Sequence, residues 1–166
     1  MIRRIEDFQE AWAYESEATL KVFRALTPAS LSQPVTPGGR TLGGLAWHLT
    51  QTLPEMLGQQ AGLDVPGPAQ DSAPPDLDAI LRAYETSAQA VARAVAGRWT
   101  DAMLAEKIPM YGEEWTRGAV LTSLIAHQAH HRGQMTVLMR QAGLRVPGVY
   151  GPAAEDWAAL GMPPQP

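Results

Sequence analysis

The chain has no cysteine among its 166 residues, which excludes disulfides, thiolate metal sites and a cysteine nucleophile. It lacks any apolar run long enough to cross a bilayer, and its charged content, 18%, is low. There is no basic surplus. The formal net charge is -4 and the isoelectric point about 5.5, which argues against a nucleic-acid partner. Met1-Ile2-Arg3-Arg4 leads straight into an amphipathic pattern without a hydrophobic signal region, so a cytoplasmic location is expected. No segment alternates convincingly with the period of a strand, and there is no internal repeat. Gly38-Gly39-Arg40 lacks the Gly-Lys-Ser/Thr ending of a phosphate loop. The Glu-x-x-His pairs of a di-iron bundle are also missing. Any metal here must therefore be held by nitrogen and oxygen.

What is present is helical periodicity. Ile5, Phe8, Trp12, Thr19, Val22, Phe23 and Leu26 form one stripe over residues 4–26, ended by Pro28 and interrupted by Glu15. Thr41 can cap a second helix to about Gln60, which Pro54 should kink because it cannot donate to the carbonyl of Thr50. A third helix is expected over 76–96, with Leu77, Ile80, Leu81, Tyr84, Ala88, Val91 and Val95 inward and Asp76-Leu77-Asp78 matching its dipole. The fourth, 116–141, carries Val120, Leu124, His127, His131 and Leu138 on one face and ends at Gly143. In the tail, 144–166, a short helical turn over 153–160 is expected to dock through Trp157.

The reading is an all-α fold, a single four-helix-bundle domain over 1–166. The 14 residues Gly62–Pro75 reach about 45 Å when extended, more than a 20-residue helix of roughly 30 Å. That long crossover can bring the chain back along the bundle and leave helices two and three parallel. The topology expected is up-down-down-up.

Three of the four histidines fall in His127-Gln128-Ala129-His130-His131-Arg132-Gly133-Gln134, and the fourth, His48, lies in the second helix. His127 and His131, four residues apart, share a helical face directed at the expected core, and His130 sits at its edge. His48 also looks inward, in phase with Thr41, Leu45, Thr52 and Met56. Two readings stay open on spacing alone. These are core histidines satisfied by neighbouring polar groups, or imidazoles sharing a metal ion that removes the desolvation cost of each.

The residues around them are similar to the DinB-like family of bacterial four-helix bundles. The resemblance rests on His127-x-x-His130-His131-Arg132-Gly133-Gln134, Leu138-x-Arg140-x-x-Gly143, Pro147, Trp47-His48-Leu49, Tyr111-Gly112 and Thr116-Arg117, and it spans residues 5–151. It implies one divalent metal ion, zinc or nickel, on His48, His127 and His131, in an up-down-down-up bundle that commonly forms homodimers. It also implies a metal-dependent transferase that moves a small-molecule thiol of the bacillithiol type to an electrophilic substrate. A cysteine-free chain would have to take its thiol from solution. Two rivals are a metal-dependent hydrolase and a non-enzymatic, stress-associated metal-binding or interaction protein whose site is closed by a side chain such as Glu15.

Other residues complete the expectation. Glu15 and Glu55 are the candidates for acid–base work, against readings in which each carboxylate simply reaches solvent. His130 and Gln134 are candidates for supporting the ligands, although the favoured reading of Gln134, with Arg132, is that the pair ties the fourth helix to its neighbours by hydrogen bonds. Trp47, Tyr111 and Trp115 are candidates for lining a substrate pocket. Neither a membrane nor a nucleic acid is expected as partner.

Overall fold

Four helices form, three of them behind a capping side chain. In the computed structural model, which describes residues 1–72 and 76–163, they are α1 (Ile5–Arg24), α2 (Leu42–Leu53), α3 (Leu77–Arg98) and α4 (Arg117–Gln141). Thr41, Asp76 and Thr116 cap α2, α3 and α4, each side chain accepting from a backbone N–H in the first turn. Gly143, with φ at 71°, closes α4 by donating its N–H to the Arg140 carbonyl, while Leu144 N–H reaches Met139. Pro54 ends α2 as an α-helix but not as a helix: Pro54–Gln60 continues as a wider π-helical stretch, a geometry that tolerates the missing donor.

The topology is up-down-down-up, as the long crossover requires. α1 packs mainly on α3 and α4, and α2 on the same two helices, so α1 and α2 lie diagonally. α1 and α3 are antiparallel, since Gln9 Nε2 and Trp12 Nε1 donate to the carbonyls of Ala92 and Ala88. The crossover retraces α2 towards its start. Gly67 lies so close to Pro54 and Ser87 that an added Cβ would stand 2.7 Å from Pro54 Cγ. Gln51 then donates to the carbonyls of Ala69 and Gln70, and Trp47 Nε1 to that of Ser72. The remainder of the expected loop, 73–75, and the last three positions of the tail, 164–166, lie outside the described residues.

A hairpin before α4 has no counterpart in the sequence reading. β1 (Lys107–Met110) and β2 (Glu113–Thr116) form an antiparallel hairpin in front of α4. Its two-residue turn is Tyr111-Gly112, with φ at 53° and 82°, the paired positive values that suit a strand-connecting turn. The strands are too short for alternation to register.

The tail also differs from expectation. Trp157 begins a short 3-10 turn but has no place among the residues packed on the core. The segment is held instead by buried Val146, by Lys21 donating to the Gly148 carbonyl, by Arg140–Glu155 and Arg145–Asp156 pairs, and by Tyr150.

At the centre of the bundle the core is polar. Gln128 is fully buried; its Oε1 accepts from Tyr84 Oη on α3 (3.0 Å) and Thr19 on α1 (3.2 Å), and its Nε2 donates to the Leu49 carbonyl on α2 (3.3 Å). One turn on, Arg132 donates to the Glu15 carbonyl at 3.0 Å, to Thr19 Oγ1 at 2.9 Å and to the Glu15 carboxylate. Tyr150 closes the group by donating to Glu15 Oε2 at 2.8 Å. Removing one partner of a buried ion pair leaves the other charge stranded, at a cost of about 3–5 kcal/mol. Arg132→Met is therefore expected to destabilise the fold by about that amount, and Glu15→Gln in the same chain to recover part of the loss. Urea unfolding of the single and double variants checks both; equal midpoints for Arg132→Met and the parent would refute the expectation.

Candidate metal centre

The orientation of α4 brings the histidines together. Its buried line runs through Val120, Leu121, Leu124, Gln128, Arg132, Met135, Leu138 and Met139. His127 and His131 each precede one of the two buried polar residues, so they lie about 100° around the helix from them. The histidines are thus half-buried at the seam with α2 rather than at the core, where the apolar pattern directs them. On α2, His48 points into the same seam.

There the three rings converge. Their centroids lie 5.0 Å (His48–His127), 4.7 Å (His48–His131) and 4.5 Å (His127–His131) apart. Each offers a ring nitrogen, and these three atoms fall within 4.8 Å of one another. His48 Nε2 and His127 Nε2 stand 3.2 Å apart. Two nitrogens bound to one tetrahedral zinc, at about 2.0–2.1 Å each, would stand about 3.3–3.4 Å apart. The donor set therefore fits a divalent ion of imidazole preference, and among the described residues no carboxylate joins the group.

Gln134 orients one of the three. Its Oε1 accepts from His131 Nδ1 at 2.8 Å and its Nε2 donates to His130 Nε2 at 3.1 Å. The proton of His131 is thereby held on Nδ1, leaving the Nε2 lone pair free, the usual support of a metal-ligating imidazole. His130, exposed, receives the other half of the amide. His127 has no such support, because its Nδ1 is buried without a hydrogen-bond partner.

The electrostatics keep the rings neutral. Burial, then Arg40 and the other two rings, pushes His48 down to about 4. Burial followed by His131, His130 and Arg40 does the same to His127, also to about 4. His131 is lowered chiefly by burial, against a raising contribution from Gln134. Neutral imidazoles are the form that ligates a metal.

The remaining sequence candidates lie elsewhere. Glu15 neither snorkels nor faces the histidines; it is bound to Arg132 and Tyr150. Glu55 is buried and accepts from Tyr111 Oη at 2.8 Å; burial, and then this contact, raises the Tyr111 hydroxyl. Tyr111 and Trp115 stack edge-on at the hairpin, and Trp115 Nε1 donates to Glu113. Trp47 is buried with its indole N–H tied to the crossover. None of the three aromatics lines the cavity that opens on His131. That groove, about 480 Å³, is bordered by His131 and Gln134, by Leu45, Val137 and Leu138, and by Val35 and Arg40 of the loop before α2. The loop's Pro and Gly content reads only as a connection in the sequence. Nothing local reports which face it covers.

The profile of the DinB family matches residues 1–165. The chain belongs to the DinB family. A relative, YrdA of Bacillus subtilis (strain 168), is 41% identical over 163 residues, covering 98% of this chain and 97% of its own. The crystal structure of a DinB-like protein from Bacillus cereus ATCC 10987 superposes with a TM-score of 0.86 at 43% identity, covering 90% of this chain and all of that one. A second DinB-like crystal structure, from Bacillus subtilis, shares the fold at a TM-score of 0.66 and 16% identity, covering 89% of this chain and 99% of its own. In this DinB-family bundle, then, a histidine cluster competent to hold a metal has one member, His131, on the wall of an open groove.

Depressed histidines carry a pH signature. Between about 4 and the ordinary value of 6.5, the unfolded chain binds more protons than the folded one. The metal-free protein should therefore lose stability as pH falls through that window, with this contribution fully present above 6.5. Urea midpoints between pH 7 and pH 4 should fall less steeply for a His48→Gln/His127→Gln variant than for the parent. Parallel curves would show that the cluster does not titrate in this way.

Proposed function

We propose that this DinB-family protein holds one divalent cation, zinc or nickel, on His48, His127 and His131, and uses it to transfer a small-molecule thiol to an electrophile. The observation that carries this reading is an all-imidazole cluster, joined by no carboxylate among the described residues, whose His131 has a free lone pair and borders a groove. A divalent ion bound by three neutral imidazoles keeps its full charge and an open position, and acidifies a thiol or water that joins it. The chain's own residues supply the rest. Gln134 fixes the tautomer and the plane of His131 by holding its Nδ1 proton. Leu45, Val137 and Leu138 give the groove apolar walls. With no cysteine in the chain, the nucleophilic sulfur must belong to a substrate. Arg132, pairing with Glu15, holds α4 in the rotation that presents His127 and His131 to His48.

This reading leaves Glu15 and Glu55 out of the chemistry, because both are engaged away from the cluster. A closed, purely structural metal site is disfavoured by the groove bordering His131.

The test is elemental analysis of protein purified without chelator or nickel resin. Stoichiometric zinc or nickel is expected in the parent and its loss in His48→Gln or His131→Gln. Gln134→Ala should keep the three ligands but weaken metal affinity about 10–100-fold, the usual cost of losing such a support. Equal metal content in the parent and the two histidine variants would remove the site. Turnover of an electrophile at the same rate with and without added thiol would remove the transferase.

A further inference from the structure

The groove beside the histidines has a charge of its own. Arg40 lies on its rim together with His131 and Gln134, and no aspartate or glutamate lines it. This occurs in a chain whose formal net charge is -4. Arg40 makes no ion pair among the described residues, a state it shares with Arg3, Arg82, Arg93 and Arg98, and of these five it alone lines the groove. Its only hydrogen bond among them is through its backbone carbonyl, which accepts from Val35 N–H at 2.9 Å. Its side-chain stem runs over Gly44, where an added Cβ would stand 3.4 Å from Arg40 Cγ. Arg40 thus directly precedes the Thr41 cap of α2, the end at which a helix dipole disfavours a cation. Fold stability gives no reason for a positive charge there.

From this arrangement we infer that Arg40 anchors the carboxylate of a small substrate, whose apolar body lies along Val35, Leu45, Val137 and Leu138. A planar guanidinium with free donors matches a carboxylate in a two-point contact. A volume of about 480 Å³ is that of a site for a small molecule. The carboxylate at Arg40 would then set the substrate's direction, with its far part against His131. The inference rests on the metal-centre reading for what happens at the histidines, whereas the anion contact itself is a property of the metal-free chain. Arg40 is thus a specificity-determining residue of the proposed site, assigned through binding and not through reaction.

Calorimetric titration of metal-free protein with hexanoate separates the parts. The parent should bind hexanoate, Arg40→Gln at least tenfold more weakly, and Arg40→Lys at an intermediate strength. Hexanamide, of the same shape but neutral, should bind the parent no better than hexanoate binds Arg40→Gln. Inorganic phosphate should bind more weakly than hexanoate, because it leaves the apolar walls uncovered. Undetectable hexanoate binding by the parent, equal binding by Arg40→Gln, equal binding of hexanamide, or tighter binding of phosphate would each overturn the inference. Zinc content is measured in parallel preparations of parent and variant purified without chelator or nickel resin. Arg40→Gln should retain the parent's zinc, and its loss would show that Arg40 shapes the histidine cluster instead of a substrate subsite. If parent and variant both lack metal affinity, the metal-centre reading fails while the hexanoate comparison still decides the role of Arg40.

Discussion

The structure depends on how α4 is rotated about its own axis, and a buried polar knot sets that rotation. Gln128 touches α1, α2 and α3 at once through Thr19, Leu49 and Tyr84. Arg132, one turn further along, is locked to Glu15 and Thr19. Buried polar groups tolerate little displacement, since an unmade hydrogen bond in the interior costs about 1–3 kcal/mol. Apolar contacts would allow the helix to turn by small amounts and repack. The knot does not, and so the residue before each of its two members is aimed at the α2 seam. His127 and His131 owe their place to Gln128 and Arg132.

That dependence explains which parts of the molecule were legible in the chain. Helix limits, the caps at Thr41 and Asp76, the Gly143 stop and the return path of the crossover follow from local chemistry: hydroxyl and carboxylate caps, positive φ and chain length. The meeting of His48 with His127 and His131 was also within reach, because four-residue spacing keeps two side chains on one face. The depth of that face was not. An apolar pattern assigns the core to Val120, Leu124 and Leu138, and His127 and His131 share their phase. The true inner line contains a glutamine and an arginine that no hydrophobic periodicity can detect. Glu15 misleads for the same reason: a carboxylate in an apolar stripe reads as an edge or a catalyst until its arginine, distant in sequence, is seen beside it. The hairpin and the groove were missed because two short strands and a Pro/Gly-rich loop carry almost no signal alone.

The separation of knot and cluster has a chemical consequence. Stability resides in the fully buried line of α4, whereas the imidazoles lie on the neighbouring line, half-exposed. Had the histidines been at the core, burial would favour neutral rings even more strongly, but no path would lead to them. At the seam, burial, helped by Arg40 and the neighbouring rings, lowers His48 and His127 to about 4 and yet leaves the His131 flank open. A reaction centre needs both properties, a dry enough setting for unprotonated donors and a route for a second molecule.

The same geometry distributes labour among residues close in sequence. Gln128 and Arg132 hold the bundle, His127 and His131 face the seam, and Gln134 reaches back one turn to steady His131. A single helix thus carries the fold on one line, the donor atoms on the next and their support on a third. Because Arg132 anchors the rotation and also meets Tyr150 of the tail, the C-terminal segment is coupled mechanically to the histidines without approaching them. Tyr150 of the tail donates to the same Glu15 carboxylate that pairs with Arg132, so the segment after α4 touches the residues that set the rotation of the helix. The segment after α4 is therefore part of the site's construction, and the candidate centre is a property of the whole chain more than of its histidine motif.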